Sequence, residues 1–117
     1  MNTHQHAARA YQSASASRSP REQEADVFRH ATFVLRSARD ASPIAKARAV
    51  ADNRRLWSLV TILVRDAENQ LPVPLRAQLA SLGLAVQREL DAPEPDFDFV
   101  IGINEHVAAG LAGQAGG

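Results

Sequence analysis

The chain of 117 residues contains no cysteine, which excludes disulfide bonds, thiolate metal ligands and cysteine nucleophiles. Its formal net charge is zero, so the chain as a whole offers no field that would attract nucleic acid or an anionic membrane. No run reaches the ~18 apolar residues that a membrane-spanning helix needs, and we expect no membrane insertion. The amino terminus lacks the apolar core of a secretory signal, so a cytoplasmic location is expected.

What is present indicates one globular domain. Apolar residues make up 45% of the chain and charged residues 22%, a balance typical of a folded protein with a modest core. Residues 1–18 are rich in Ala, Ser, His and Gln without apolar periodicity, and they predict a flexible amino-terminal segment. Tyr11 is expected to tack this segment onto the domain, or alternatively to await a partner. The helical domain is predicted over residues 19–113.

Two Ser-Pro pairs, at 19–20 and 42–43, predict helix starts. The serine hydroxyl can cap the helix, and proline suits the first helical position. Apolar residues then recur with helical spacing, with Val27 on the predicted buried stripe of the first helix. The first helix is predicted over about 20–40 and the second over about 43–65.

Two further helices follow. Asn69 and two prolines predict a loop over 66–74, with Leu71 tucked beneath the helices as an anchor. A third helix is predicted from Leu75, and Gly83 inside it suggests a close approach of two helices. Asp96 can cap a fourth helix, whose glycines near the end should loosen it. The sequence therefore predicts an all-α protein, a small bundle of about four helices.

The second helix is unusually apolar. Seven of the nine residues over 56–64 are apolar, so the helix needs cover from neighbours or from a partner. Two asparagines, Asn53 and Asn104, lie in the middle of otherwise apolar stripes. They could bond to each other or to backbone and fix the helix register. Partial solvation at the stripe edges is the alternative.

Residues able to carry catalysis do not form a recognisable pattern. The four histidines, His4, His6, His30 and His106, give no spacing that guarantees a metal site. There is no phosphate-binding glycine loop and no nucleophile elbow, and the acidic residues over 91–96 suit a solvated turn. We expect neither enzyme activity nor a cofactor.

The adjacent cations Arg54 and Arg55 allow two interpretations. They could form salt bridges with Asp52, Asp66 or Glu68, or one could clamp a carboxylate of a protein partner. A nucleic-acid surface would need a basic stripe with aromatic partners, and aromatic residues are only 5% of the chain. Nucleic-acid binding is therefore not expected.

Several ordered segments are shared with a known family. They are residues 10–12, 19–22 with Phe28 and Thr32, 53–58, 69–72, 75–78, 81–82, 103–104 and 110–111. The most specific are N-R-R-L-W-S, then N-x-L-P and L-R-A. In these segments the chain resembles the flagellar biosynthesis regulator FlaF family over residues 10–113.

The resemblance implies a small helical cytoplasmic protein of alphaproteobacterial flagellar assembly. Such proteins are linked to flagellin synthesis and secretion and act opposite the translational repressor FlbT. Our hypothesis is a flagellin-binding chaperone and regulator, whose second and third helices hold an amphipathic flagellin helix until export. The alternatives are a post-transcriptional regulator acting on flagellin mRNA or through FlbT, and a structural adaptor.

Seven candidate residues follow from this hypothesis. The partner-binding set is Arg54, Arg55, Leu56, Trp57, Val60, Arg76 and Leu79. The apolar members would lie near the groove and the arginines would make exposed contacts. For Trp57 a place in the core is the alternative, and self-association could equally hide the surplus apolar surface.

Overall fold

The computed structural model describes residues 19–115, and within this range all regular structure is α-helical. The four helices are α1 (Pro20–Ala38), α2 (Pro43–Arg65), α3 (Val73–Leu90) and α4 (Phe97–Ala115). The predicted all-α class and the number of helices are confirmed. The flexible segment predicted over 1–18, with Tyr11 and two of the histidines, lies outside the described residues.

Three helices begin at a side-chain cap, as the sequence predicted. The oxygens of Ser19, Ser42 and Asp96 each accept a hydrogen bond from the backbone amide three residues later, at 3.1, 3.2 and 3.2 Å. Each cap satisfies one of the amides that the first helical turn leaves without an intrahelical acceptor.

The start of α3 differs from the prediction. The loop was expected to extend through Pro74, but Pro72 occupies the N-cap position and α3 begins at Val73. Pro74 is tolerated because amides of the first turn have no acceptor within the helix, so nothing is lost when proline supplies none. The first helix, α1, ends at Ala38, close to its predicted end near residue 40.

The four helices pack as two main pairs. α1 lies chiefly along α4, and α2 lies chiefly along α3, with a smaller α1–α2 contact between the pairs. One face of α4 is buried along its length. Its members are Phe97, Val100, Ile101, Asn104, Val107, Ala108 and Leu111. Leu71 is also buried, which confirms it as the anchor of the α2–α3 loop.

Gly83 lets α3 approach α2 closely, as predicted. A Cβ atom at this position would lie 3.2 Å from Thr61 Oγ1 and 3.5 Å from Trp57 Cε3. Thr61 Oγ1 cannot turn away freely, because it donates to the Trp57 carbonyl at 2.9 Å. The α2–α3 seam is therefore closed at this level.

We expect Gly83→Ala to lower the free energy of unfolding by about 1 kcal/mol, because overpacking outweighs the gain in helix propensity. The matched control is Gly102→Ala in α4, where a Cβ would meet nothing within 4 Å. It should raise the free energy of unfolding by about 0.5–1 kcal/mol. Urea denaturation followed by circular dichroism gives both values. Equal stabilisation by the two substitutions would contradict a closed seam.

Candidate partner-binding site

The outward face of α2 carries large apolar side chains that its neighbours leave uncovered. Leu59, Ile62 and Leu63 are 52%, 66% and 50% exposed. Val27 of α1 is 52% exposed as well, so its predicted place on the buried stripe is wrong. The buried face of α1 is centred on Phe28 and Leu35, which leaves Val27 at its edge, beside α2. The excess of apolar surface expected on α2 is thus present.

Val27, Leu59 and Leu63 border a groove of about 180 Å³ between α1 and α2, which we call the α1–α2 groove. Its apolar lining residues are Val27, Phe28, Leu56, Leu59, Val60, Leu63, Val64, Leu71, Leu79 and Leu111. Polar side chains among the lining residues are Arg21, Glu24 and Asn69, and the first two form an ion pair at 2.6 Å. The groove is an apolar furrow with one ion pair among its lining residues.

A partner helix was expected on the second and third helices, and that expectation stays a prediction. Gly83 brings α3 close to α2, whereas the furrow in the structure lies between α1 and α2 and includes Leu79 of α3. Three of the predicted partner-binding residues line it. Val60 and Leu79 are buried in its floor, and Leu56 is half-buried.

Trp57 lies in the core rather than on the groove surface. Its side chain is fully buried, and its ring meets that of Phe28 edge-on with centroids 5.5 Å apart. Aromatic pairs in this T-shaped arrangement are favourable beyond the area they bury. Trp57 therefore packs against Phe28, which lines the groove, and its own side chain is not accessible to a partner.

Trp57 also belongs to a buried hydrogen-bonded chain. Its Nε1 donates to Asn104 Oδ1 at 2.9 Å, and Asn104 Nδ2 donates to Asn53 Oδ1 at 2.8 Å. Asn53 Nδ2 in turn donates to the Ala49 carbonyl at 2.9 Å and to the Ala31 carbonyl at 3.4 Å. The predicted bond between the two asparagines is confirmed, and these hydrogen bonds together join α1, α2 and α4. Across residues 19–115, every buried side-chain nitrogen or oxygen has a partner.

Arg54 holds the end of a neighbouring helix. Its Nη2 donates to the Leu90 carbonyl and pairs with Asp91 Oδ1, both at 2.8 Å. The ion-pair partners expected from the sequence were Asp52, Asp66 or Glu68, and that expectation is wrong. Asp91 is far away along the chain, but the C-terminus of α3 returns beside Arg54, and a cation there meets carbonyls that lack amide partners.

Arg76 has a similar structural role. Its guanidinium donates to the Val64 carbonyl at 2.9 and 3.1 Å and to the Asp66 carbonyl at 2.9 Å. Asn69 Nδ2 donates to the Leu63 carbonyl at 3.0 Å. Together these donors bond to the Leu63 and Val64 carbonyls in the last turn of α2 and tie its end to the start of α3.

Arg55 is different from these two arginines. It is exposed, and it forms no ion pair with any residue between 19 and 115. Of the three candidate arginines, it therefore keeps its guanidinium available for a partner.

The described part of the chain carries neither a metal-binding cluster nor a membrane-spanning helix. No group of three or more His, Cys, Asp or Glu residues there could hold a metal ion. No described helix combines the length and apolarity needed to cross a membrane. His106 lies 3.4 Å from Gln78 Nε2, at an exposed contact between α4 and α3.

The groove residues Val27, Leu59 and Leu63 were not among the seven candidates, although the sequence held a signal for the two leucines. Asn53, Trp57 and Val60 share one helical face, and Leu59 and Leu63 lie to one side of it. Once that face is known to be buried, the leucines must face outward or toward a neighbour.

Comparison with known proteins identifies a family that the chain matches. A family model described as FlaF, flagellar protein FlaF, matches residues 7–111, which is most of the chain. No curated protein and no solved structure matches the chain significantly.

The buried hydrogen-bonded chain generates a prediction for Asn104→Leu. The substitution leaves Trp57 Nε1 without an acceptor and Asn53 Oδ1 without a donor, and each buried unpaired group costs about 1–3 kcal/mol. We expect the free energy of unfolding to fall by about 2–4 kcal/mol. Urea denaturation followed by the fluorescence of Trp57, the only tryptophan, measures it.

Asn53→Leu is the companion variant. It leaves Asn104 Nδ2 as the unpaired group, so its cost should be smaller than that of Asn104→Leu. The double variant should cost less than the sum of the two, since the two side chains interact directly. An unchanged melting temperature in both single variants would show that the asparagine pair does not hold the helices in register.

Proposed function

The chain belongs to the FlaF family of flagellar proteins, and from this premise we propose that it is a cytoplasmic flagellin-binding chaperone and regulator. It supports flagellin synthesis and secretion by holding an amphipathic flagellin helix before export, and it has no catalytic activity. The observation that carries the proposal is the α1–α2 groove with its exposed apolar rim of Val27, Leu59 and Leu63.

The groove suits the docking of a helix. Leu56, Leu59 and Leu63 are spaced three and four residues apart, so they form a ladder along one side of the furrow. Val27 faces them from α1. An amphipathic helix lays apolar residues of the same spacing into such a groove. Flagellin carries amphipathic terminal helices that would assemble prematurely if left uncovered, and they are the proposed guests.

The proposed contact set changes accordingly. Leu56, Val60 and Leu79 remain as groove residues, and Arg55 remains as an exposed contact. The other three candidates act within the fold: Trp57 packs in the core, and two arginines hold helix ends.

The test uses Leu59→Asp in the full chain with purified flagellin. A carboxylate on the rim would lie against the apolar face of the guest without a partner, so flagellin affinity should fall about tenfold or more. Titration calorimetry gives the affinity, and light scattering gives the mass of the complex. Since Leu59 is half exposed, the melting temperature should stay close to that of the wild type.

Leu84→Asp is the matched control, because Leu84 is 68% exposed on α3 and is not among the groove residues. It should bind flagellin like the wild type. The complex should also survive high salt, since apolar docking is little screened. The proposal fails if the wild type ignores flagellin and instead binds FlbT or flagellin mRNA, or if both variants bind flagellin equally well.

A further inference from the structure

Positive charge is concentrated on α2, although the chain as a whole is neutral. The helix contains five cations and one anion, Asp52. The cations are Lys46, Arg48, Arg54, Arg55 and Arg65. The compensating acidic residues lie elsewhere, with three carboxylates between 91 and 96 and two more on α4. One helix, α2, is therefore basic although the net charge of the whole chain is zero.

Most of the charge on α2 is not neutralised within the described part of the fold. Arg54 pairs with Asp91, but the other four cations of α2 form no ion pair with any residue between 19 and 115. By contrast, Arg36 pairs with Glu105 of α4 at 2.6 Å, and Arg39 pairs with Asp98. The cations on the α1–α4 side are used inside the molecule, whereas those of α2 face solvent.

Two of the unpaired cations, Arg55 and Arg48, lie in line with the apolar residues of α2 that border the groove. Arg55 precedes Leu59 by four residues, and Arg48 precedes Arg55 by seven, so all three lie along one face of α2. Asp52 lies on the same face between the two arginines and offsets part of their charge. Ile62 extends the face at its other end. The exposed surface is thus apolar toward the C-terminus of α2 and basic toward its N-terminus.

We infer that the guest of the α1–α2 groove is an acidic amphipathic helix. Its apolar stripe covers Leu59 and Leu63, and its carboxylates pair with Arg55 and Arg48. Guanidinium groups suit this contact, because their fork of donors matches a carboxylate in two parallel hydrogen bonds. The inference rests on the proposed function and adds the charge of the partner surface to it.

A helix fits this surface better than single-stranded RNA does. RNA binding combines cations with exposed aromatic rings on which bases stack. On α2 the only aromatic residue is Trp57, which is fully buried, and the large exposed apolar side chains that follow Arg55 are Leu59, Ile62 and Leu63. These aliphatic groups favour the apolar face of another helix.

The test uses three synthetic peptides of about 20 residues, long enough to form a helix on docking. They share one leucine stripe and differ only in the polar face, which carries Glu, Gln or Lys. Fluorescence anisotropy with the full chain at low salt should give the Glu peptide an affinity about threefold to tenfold above the Gln peptide, with the Lys peptide weakest. High salt should reduce the differences and leave the apolar contribution.

Arg55→Glu should abolish the preference for the Glu peptide and strengthen binding of the Lys peptide. Arg48→Glu should act in the same direction. The matched control is Arg88→Glu on α3, an exposed arginine without an ion pair to any described residue, and it should keep the preference of the wild type.

Equal affinity for the three peptides would overturn the inference, as would an equal effect of Arg55→Glu and Arg88→Glu. The inference also falls if none of the three peptides binds. In each case flagellin titration shows separately whether the proposed function survives. Tight binding of a short oligouridine that Arg55→Glu abolishes would make the basic face of α2 a nucleic-acid surface and would overturn the inference as well.

Discussion

The hydrogen bonds joining Trp57, Asn104 and Asn53 are the interaction on which the rest of the structure depends. Buried amides have few arrangements in which every donor and acceptor is satisfied, and turning α2 about its axis would break this one. The rotation of α2 fixes which of its apolar residues face inward. It therefore also fixes that Leu59 and Leu63 face outward, so a polar contact deep in the core determines where the apolar surface appears.

Local signals in the sequence predicted where the helices lie. The position of the groove and the contacts between helices depend on how the helices pack. Ser19 and Ser42 begin helices because capping needs only neighbouring residues. The cost of burying an unpaired amide suggested the bond between Asn53 and Asn104, with partial solvation as the alternative, and the structure shows the bond. The groove position and the partner of Arg54 depend on which helices pair, and apolar periodicity alone does not specify pairing. The early start of α3 was missed because proline was taken as a helix breaker where it is a first-turn residue.

The arginines show how one residue type serves two purposes. Arg54 and Arg76 close the ends of α3 and α2, where carbonyls lack amide partners. Arg55, next to Arg54 in the chain, projects from another face of the same helix into solvent. Sequence adjacency suggested a shared role, but neighbouring residues on a helix point about 100° apart and meet different surroundings. A neutral total charge is a poor guide to such a surface, because it averages over faces that a partner meets separately.

The pairing of α1 with α4 has a consequence for the making of the protein. The main packing partner of α1 is α4, which follows it in the sequence only after α2 and α3. During synthesis α1 leaves the ribosome well before α4, and its apolar face stays without its final cover until α4 has been made. A chain cut short before α4 would expose Phe28 and Leu35 and would lack the amide of Asn104. Premature termination should therefore yield a product that cannot close its core.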